Sequence, residues 1–150
     1  MSLKDDFQYM ADALDLAKAQ TGKTGKNPAV GCVILSESGT KIAEGVTGVG
    51  GTEHAEEAAL KTLHAGAARQ GTAYVTLEPC RERSAGGVSC SMLLLEAGIA
   101  RLVCAIADQH PNGAGGFSRL VQAGVTVEIG LMKEEAEELY RDFFQHGLNG

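Results

Sequence analysis

Hydrophobic and polar positions divide the chain into short apolar runs and longer stretches with helical spacing. Phe7, Met10, Leu14 and Ala17 recur at that spacing over residues 5–21, with Asp5 and Asp6 in the first turn and Gly22 beyond the end. This predicts an amphipathic first helix. Ala29 to Leu35 is continuously apolar, as in a strand buried on both faces. Glu37-Ser38-Gly39 turns the chain, and Lys41 to Val46 returns as the second strand of a hairpin. Gly45 to Gly51 holds four glycines and is expected to be an open, flexible loop. A small-residue helix follows from Ala55 to His64, with Ala58, Ala59, Leu60 and Leu63 on its buried side. Thr72 to Leu77 gives the third strand, a short helix runs through Met92, Leu93 and Leu95, and Arg101 to Ala107 gives the fourth strand. After a loop over 108–116 come a short helix near Ser118 to Gln122 and a fifth strand with alternating Val125, Val127 and Ile129. The last helix is lined by Met132, Ala136, Leu139, Tyr140, Phe143 and Phe144. Strands alternating with helices imply an α/β sheet covered on both faces. A helix between the fourth and fifth strands makes that pair parallel, since parallel neighbours need a crossover.

Composition narrows this picture. With 150 residues and 44% hydrophobic content, one domain over residues 1–150 is expected. No apolar run reaches the roughly 18 residues of a membrane span, and no secretory signal opens the chain, so a soluble cytoplasmic protein is expected. Net charge is −6 and the basic residues are scattered, which argues against nucleic-acid binding. Four cysteines in such a chain point to metal binding or burial rather than disulfides. Cys32 and Cys104 sit inside apolar runs and are expected to be inert core residues.

Chemistry concentrates elsewhere. His54-Ala55-Glu56 opens a helix, Glu78-Pro79-Cys80 follows a strand, and Cys90 stands where another helix should begin. His54, Cys80 and Cys90 make a three-ligand zinc set, one ion per chain, with a fourth position left for water. Helix amino ends beside the sulfurs favour thiolates. Glu56 is then the proton carrier of a hydrolytic deamination, taking a proton from water and passing it to the ring nitrogen and the departing ammonia. A structural zinc module is the rival, with Cys32, Cys104 or His110 as a fourth ligand. Around the metal motifs lie candidate substrate contacts: Asn27 before the first strand, Arg81 and Arg83 between the cysteines, and Asp108 and His110 beyond the fourth strand, where α/β sheets gather ligands. Arg81 and Arg83, with Ser84, Gly86 and Gly87, are suited to a substrate phosphate. Asn27 is equally suited to a loop cap.

Asn27-Pro28-x-Val30-Gly31-Cys32-Val33-Ile34, His54-Ala55-Glu56, Tyr74-Val75-Thr76-Leu77-Glu78-Pro79-Cys80 and Glu96-Ala97-Gly98-Ile99-Ala100-Arg101 resemble the cytidine deaminase superfamily. The likeness extends to the deaminase domain of the bifunctional riboflavin-biosynthesis enzymes, over about residues 7 to 145. It implies a three-layer α/β/α sandwich around a five-stranded mixed sheet, with His54, Cys80 and Cys90 on zinc and Glu56 shuttling protons. It also implies Asn27 on the substrate and a homodimer or homotetramer. The implied substrate is a small heterocycle, first of all diaminohydroxyphosphoribosylaminopyrimidine, with a nucleoside or nucleobase of cytosine, guanine or pterin type as the alternative. The Cys80-x9-Cys90 spacing is one residue longer than in the riboflavin enzymes, and their loop histidine is replaced around Thr47 and Gly48. Their Asp-Pro-Asn-Pro reads Asp108-Gln109-His110-Pro111 in this chain.

Overall fold

Strands β1 (Gly31–Leu35), β2 (Lys41–Val46), β3 (Thr72–Leu77), β4 (Arg101–Ile106) and β5 (Thr126–Ile129) form one mixed sheet in the spatial order β2-β1-β3-β4-β5. The computed structural model describes residues 3–81, 88–109 and 115–149. β1 pairs antiparallel with β2 and β3, whereas β3–β4 and β4–β5 are parallel. The parallel pairs are linked by α3 (Cys90–Glu96) and α4 (Gly116–Gln122), the crossovers that parallel neighbours require.

Alternation along the strands divides the core in two. Cys32, Ile34, Ala73, Val75, Leu102 and Cys104 face α2 (Ala55–Leu60), α3 and α4, where Ala59, Leu94 and Leu120 pack against them. Val33, Leu35, Tyr74, Val103 and Ala105 face α1 (Leu3–Gln20) and α5 (Lys133–Asn149), meeting Met10, Leu14, Ala136 and Tyr140. The three-layer α/β/α sandwich is therefore present. All of β1 and β3 is buried, as a central strand with helices on both faces must be. Truncating Leu102, fully buried between layers, to Ala would cost about 2–5 kcal/mol.

Four expectations need correction. Phe7 is 44% exposed; the buried stripe of α1 runs instead through Asp6, Met10, Ala13, Leu14 and Ala17. α2 stops at Leu60, short of His64, because Lys61 caps it and the Thr62 hydroxyl donates to the Ala59 carbonyl. His64 lies exposed in the turns beyond. The stretch 45–51 is not an open loop. Val49–Gly51 form a 3₁₀ turn, fastened where the Gly50 N–H meets the Lys23 carbonyl (2.8 Å) and the Gly48 N–H meets the Glu53 carbonyl (2.8 Å). Gly51 has φ +100°, and a Cβ there would meet the Asn27 amide nitrogen and the Thr24 carbonyl oxygen at 2.7 Å each. Its glycine permits a tight seat rather than motion. At the sheet edge, Val125 is buried but Ile129 is 55% exposed, so the alternation of β5 ends at its last residue.

Candidate active site

The carboxyl end of β3 and the amino ends of α2 and α3 converge. Each delivers one donor: Cys80 three residues after β3, His54 as the residue capping α2, and Cys90 as the first residue of α3. His54 Nδ1 lies 3.2 Å from Cys90 Sγ and 3.8 Å from Cys80 Sγ. The three donor atoms all fall within 4.8 Å of one another. Tetrahedral zinc, with Zn–S of about 2.3 Å and Zn–N of about 2.0 Å, needs N···S edges of about 3.6 Å. The observed pair of distances straddles that value, so this donor set fits zinc in both chemistry and size. Among the described residues no further His, Cys, Asp or Glu completes the group. Cys32 and Cys104 are fully buried in the core, where burial pushes both thiols well up. They are not the hidden fourth ligand of a closed site.

Charge is arranged for chemistry around these donors. The neighbouring Cys90 thiol, opposed by burial and helped by the His54 ring, holds the Cys80 thiol down to about 4. The Cys90 N–H also donates to Cys80 Sγ at 3.3 Å, which favours thiolate. Glu56, in the first turn of α2, is 3% exposed. Burial pushes its carboxyl up to about 7, with the Cys80 sulfur adding to the rise. Its own backbone N–H, His54 and a hydrogen bond with Cys90 pull the other way. A carboxyl poised near neutrality beside a metal-type donor set suits proton transfer.

The predicted substrate contacts divide. Asn27 is exposed, and its side-chain amide donates to the Gly51 carbonyl (2.9 Å), so it fastens the glycine-rich turn next to His54. Arg81 is exposed, with its side chain lying across Gly115. The Asp108 N–H donates to Glu78 (3.0 Å). Arg83 and His110 lie outside the described residues. Thr47 is buried; its hydroxyl accepts from the Val30 N–H (2.9 Å) and donates to the Pro28 carbonyl (3.2 Å).

Two residues outside the expected set hold the surroundings together. The buried Glu78 carboxylate accepts from the N–H groups of Asp108, Gly115 and Phe117 at 3.0–3.1 Å. It draws the start of α4 against Pro79, so closely that a Cβ on Gly116 would meet the Pro79 carbonyl oxygen at 1.8 Å. Arg119 in α4 reaches back to the loop between the cysteines. An acid directly before Pro-Cys was a visible signal for Glu78. Nothing local marks Arg119.

Comparison with known proteins agrees with this geometry. The cytidine and deoxycytidylate deaminase zinc-binding region matches residues 3–106. The riboflavin biosynthesis protein RibD of Escherichia coli is 42% identical over 149 residues, covering 99% of this chain and 40% of its own. The chain thus spans about two fifths of that relative's length. The diaminohydroxyphosphoribosylamino-pyrimidine deaminase of Buchnera aphidicola is 36% identical, with 97% of this chain and 98% of its own covered. The crystal structure of a diaminohydroxyphosphoribosylaminopyrimidine deaminase/5-amino-6-(5-phosphoribosylamino)uracil reductase from Thermotoga maritima superposes with a TM-score of 0.89 at 30% identity, over 97% of this chain and 42% of that one. With its metal-type donor set, its buried carboxyl and these matches, the chain belongs to the cytidine and deoxycytidylate deaminase family of hydrolytic enzymes.

Proposed function

We propose that this chain is a zinc-dependent hydrolytic deaminase of an amino-substituted pyrimidine, with diaminohydroxyphosphoribosylaminopyrimidine as its first substrate. The observation that carries this reading is Glu56, buried against three zinc-type donors in a chain that aligns with nearly the whole of the Buchnera deaminase. His54 Nδ1 and the sulfurs of Cys80 and Cys90 would hold one zinc per chain. When bound, zinc supplies Lewis-acid activation of water. The reaction exchanges a ring amine for a carbonyl: water enters, ammonia leaves, and two protons must move. The Glu56 carboxylate accepts the proton that water gives up as its oxygen bonds to the ring carbon. It delivers that proton to the ring nitrogen, and then carries the second proton from the new hydroxyl to the departing amine. Its position near neutrality lets the same group act as base and acid in one turnover. Asn27 would touch the substrate, Arg81 and Arg83 would meet its phosphate, and Asp108 and His110 the ring.

A nucleoside or nucleobase substrate is the second reading. It is favoured by the stretch around Thr47 and Gly48, which lacks the loop histidine of the riboflavin enzymes and in which the Thr47 hydroxyl is committed to the backbone. Ammonia release from aminopyrimidines, pterins, purines and nucleosides, each with and without phosphate, decides between them. Turnover confined to unphosphorylated compounds at one zinc per chain would remove the first reading. If it holds, changing Arg81 and Arg83 to Ala raises KM for the phosphorylated substrate alone. The family likeness also leads us to expect a cytoplasmic homodimer or homotetramer, which sedimentation velocity tests.

A further inference from the structure

We infer that Arg119 is a positioning residue for the metal site: from α4 it fixes both ends of the loop joining Cys80 to Cys90, holding the two sulfurs together before a metal arrives. The inference rests on the zinc reading above. Arg119 Nη1 donates to the Arg81 carbonyl (3.0 Å), the Ser89 hydroxyl (2.9 Å) and the Ser91 hydroxyl (3.2 Å). These partners flank the sulfurs, since Arg81 follows Cys80 while Ser89 and Ser91 bracket Cys90. One more step reaches the ligands themselves. The Ser91 hydroxyl and N–H both donate to the Cys80 carbonyl, at 2.9 and 3.1 Å. Ser89 caps α3 by accepting from the Met92 N–H (3.3 Å).

A guanidinium has no acceptor, so each serine hydroxyl facing it must present a lone pair. That frees the Ser91 hydrogen for the Cys80 carbonyl and leaves Ser89 accepting from both Met92 and Arg119. Ser91 is fully buried and Ser89 nearly so, and buried hydroxyls are costly to leave unpaired. Without the bridge, the described ends of the loop would lose their hydrogen bonds to the Arg119 guanidinium. Ordering them would then draw on metal-binding energy, as any ligand does when its site is not formed in advance.

An arginine that merely docked α4 would change stability and nothing else. The test is zinc affinity of the full chain, by competition with a chromophoric chelator, measured beside the unfolding midpoint of the metal-free protein. Arg119→Ala is expected to weaken zinc binding by about 10- to 100-fold, with Arg119→Lys recovering part of the loss. Arg101→Lys, at the far end of β4, lowers the midpoint but should move zinc affinity by less than about twofold. Arg119→Gln, neutral and too short to span the loop ends but keeping the aliphatic stem, gives the comparison in milder form if the alanine variant does not fold. Equal zinc affinity in wild type and the Arg119 variants overturns the inference alone, as does an equal loss in Arg101→Lys. A wild-type chain that binds no zinc overturns the functional reading and this inference together.

Discussion

Two clusters of ionisable groups sit in this sheet, one toward each end of the parallel strands, and they are balanced in opposite ways. Where β4 begins, Arg101 donates to both carboxylate oxygens of Asp6 (3.0 and 2.8 Å) and to Glu128 (3.2 and 2.6 Å), while the Tyr74 hydroxyl also donates to Asp6. The hydrogen bond from Arg101, opposed by burial and helped by Tyr74, holds the Asp6 carboxyl below its ordinary range. Asp6 in turn pushes Arg101 further up, and burial with Asp6 does the same to Tyr74. Every shift deepens the state each group already holds at neutral pH. Past the other end, the shift on Glu56 carries it to the pH at which it can gain or lose a proton. The two sulfurs and imidazole beside it form a set that a divalent cation would complete. Perturbed groups alone do not reveal a site, because ion pairs perturb them too. What separates the clusters is whether the charges are already answered from within the chain.

The sharpest way to break this contrast is to remove Glu56. Glu56→Ala should lower ammonia release by about 10²–10⁴-fold or more while zinc content and far-UV circular dichroism stay as in wild type. Activity within tenfold of wild type would return Glu56 to the core as a tolerated acid. Next, Cys90→Ser should leave the chain folded, with substoichiometric zinc and activity lost in proportion. A catalytic ion bound at element ends is not the fold's main support, whereas a structural module without its zinc would unfold. Third, Arg101→Ala should do the reverse. It strands Asp6, 7% exposed, without its cation and should cost roughly 2–4 kcal/mol in a urea titration. Turnover per bound zinc should be unchanged.

The same contrast explains what could be read from the chain. The strands and the metal motif were legible because their information is local. β3 and β2 fall on the anticipated residues, and His54, Glu56, Cys80 and Cys90 each sit beside an element end marked by its own sequence. The burial of Asp6 was not legible, because an acid in the first turn of a helix ordinarily faces solvent. Its partner Arg101 lies 95 residues away, and helical spacing carries no trace of that pairing. The glycine-rich stretch misled for a related reason: composition reports conformational freedom, whereas Asn27 and Lys23 remove it through contacts over 24 and 27 residues. Glu78 and Arg119 likewise act on segments about 30 or more residues distant. The donors were written locally and their supports were not.

The smallest expected effect tests the ionic character of the structural cluster. Asp6→Asn keeps the shape and part of the hydrogen bonding but removes the charge, which should cost about 1–2 kcal/mol at pH 7. The sign with pH follows from the depressed carboxyl. A group whose folded pKa lies below its ordinary value, 3.8 for Asp, contributes its full stabilisation above that value and loses it as pH falls through the folded one. Urea midpoints of wild type and Asp6→Asn, compared at pH 7, 5 and 3, should therefore differ equally at the first two and draw together at the third. A gap that persists undiminished to pH 3 would mean that Asp6 serves as a neutral hydrogen-bond partner. Arg101 would then answer to Glu128 alone, and the cluster would no longer stand as the charge-balanced counterpart of the metal site.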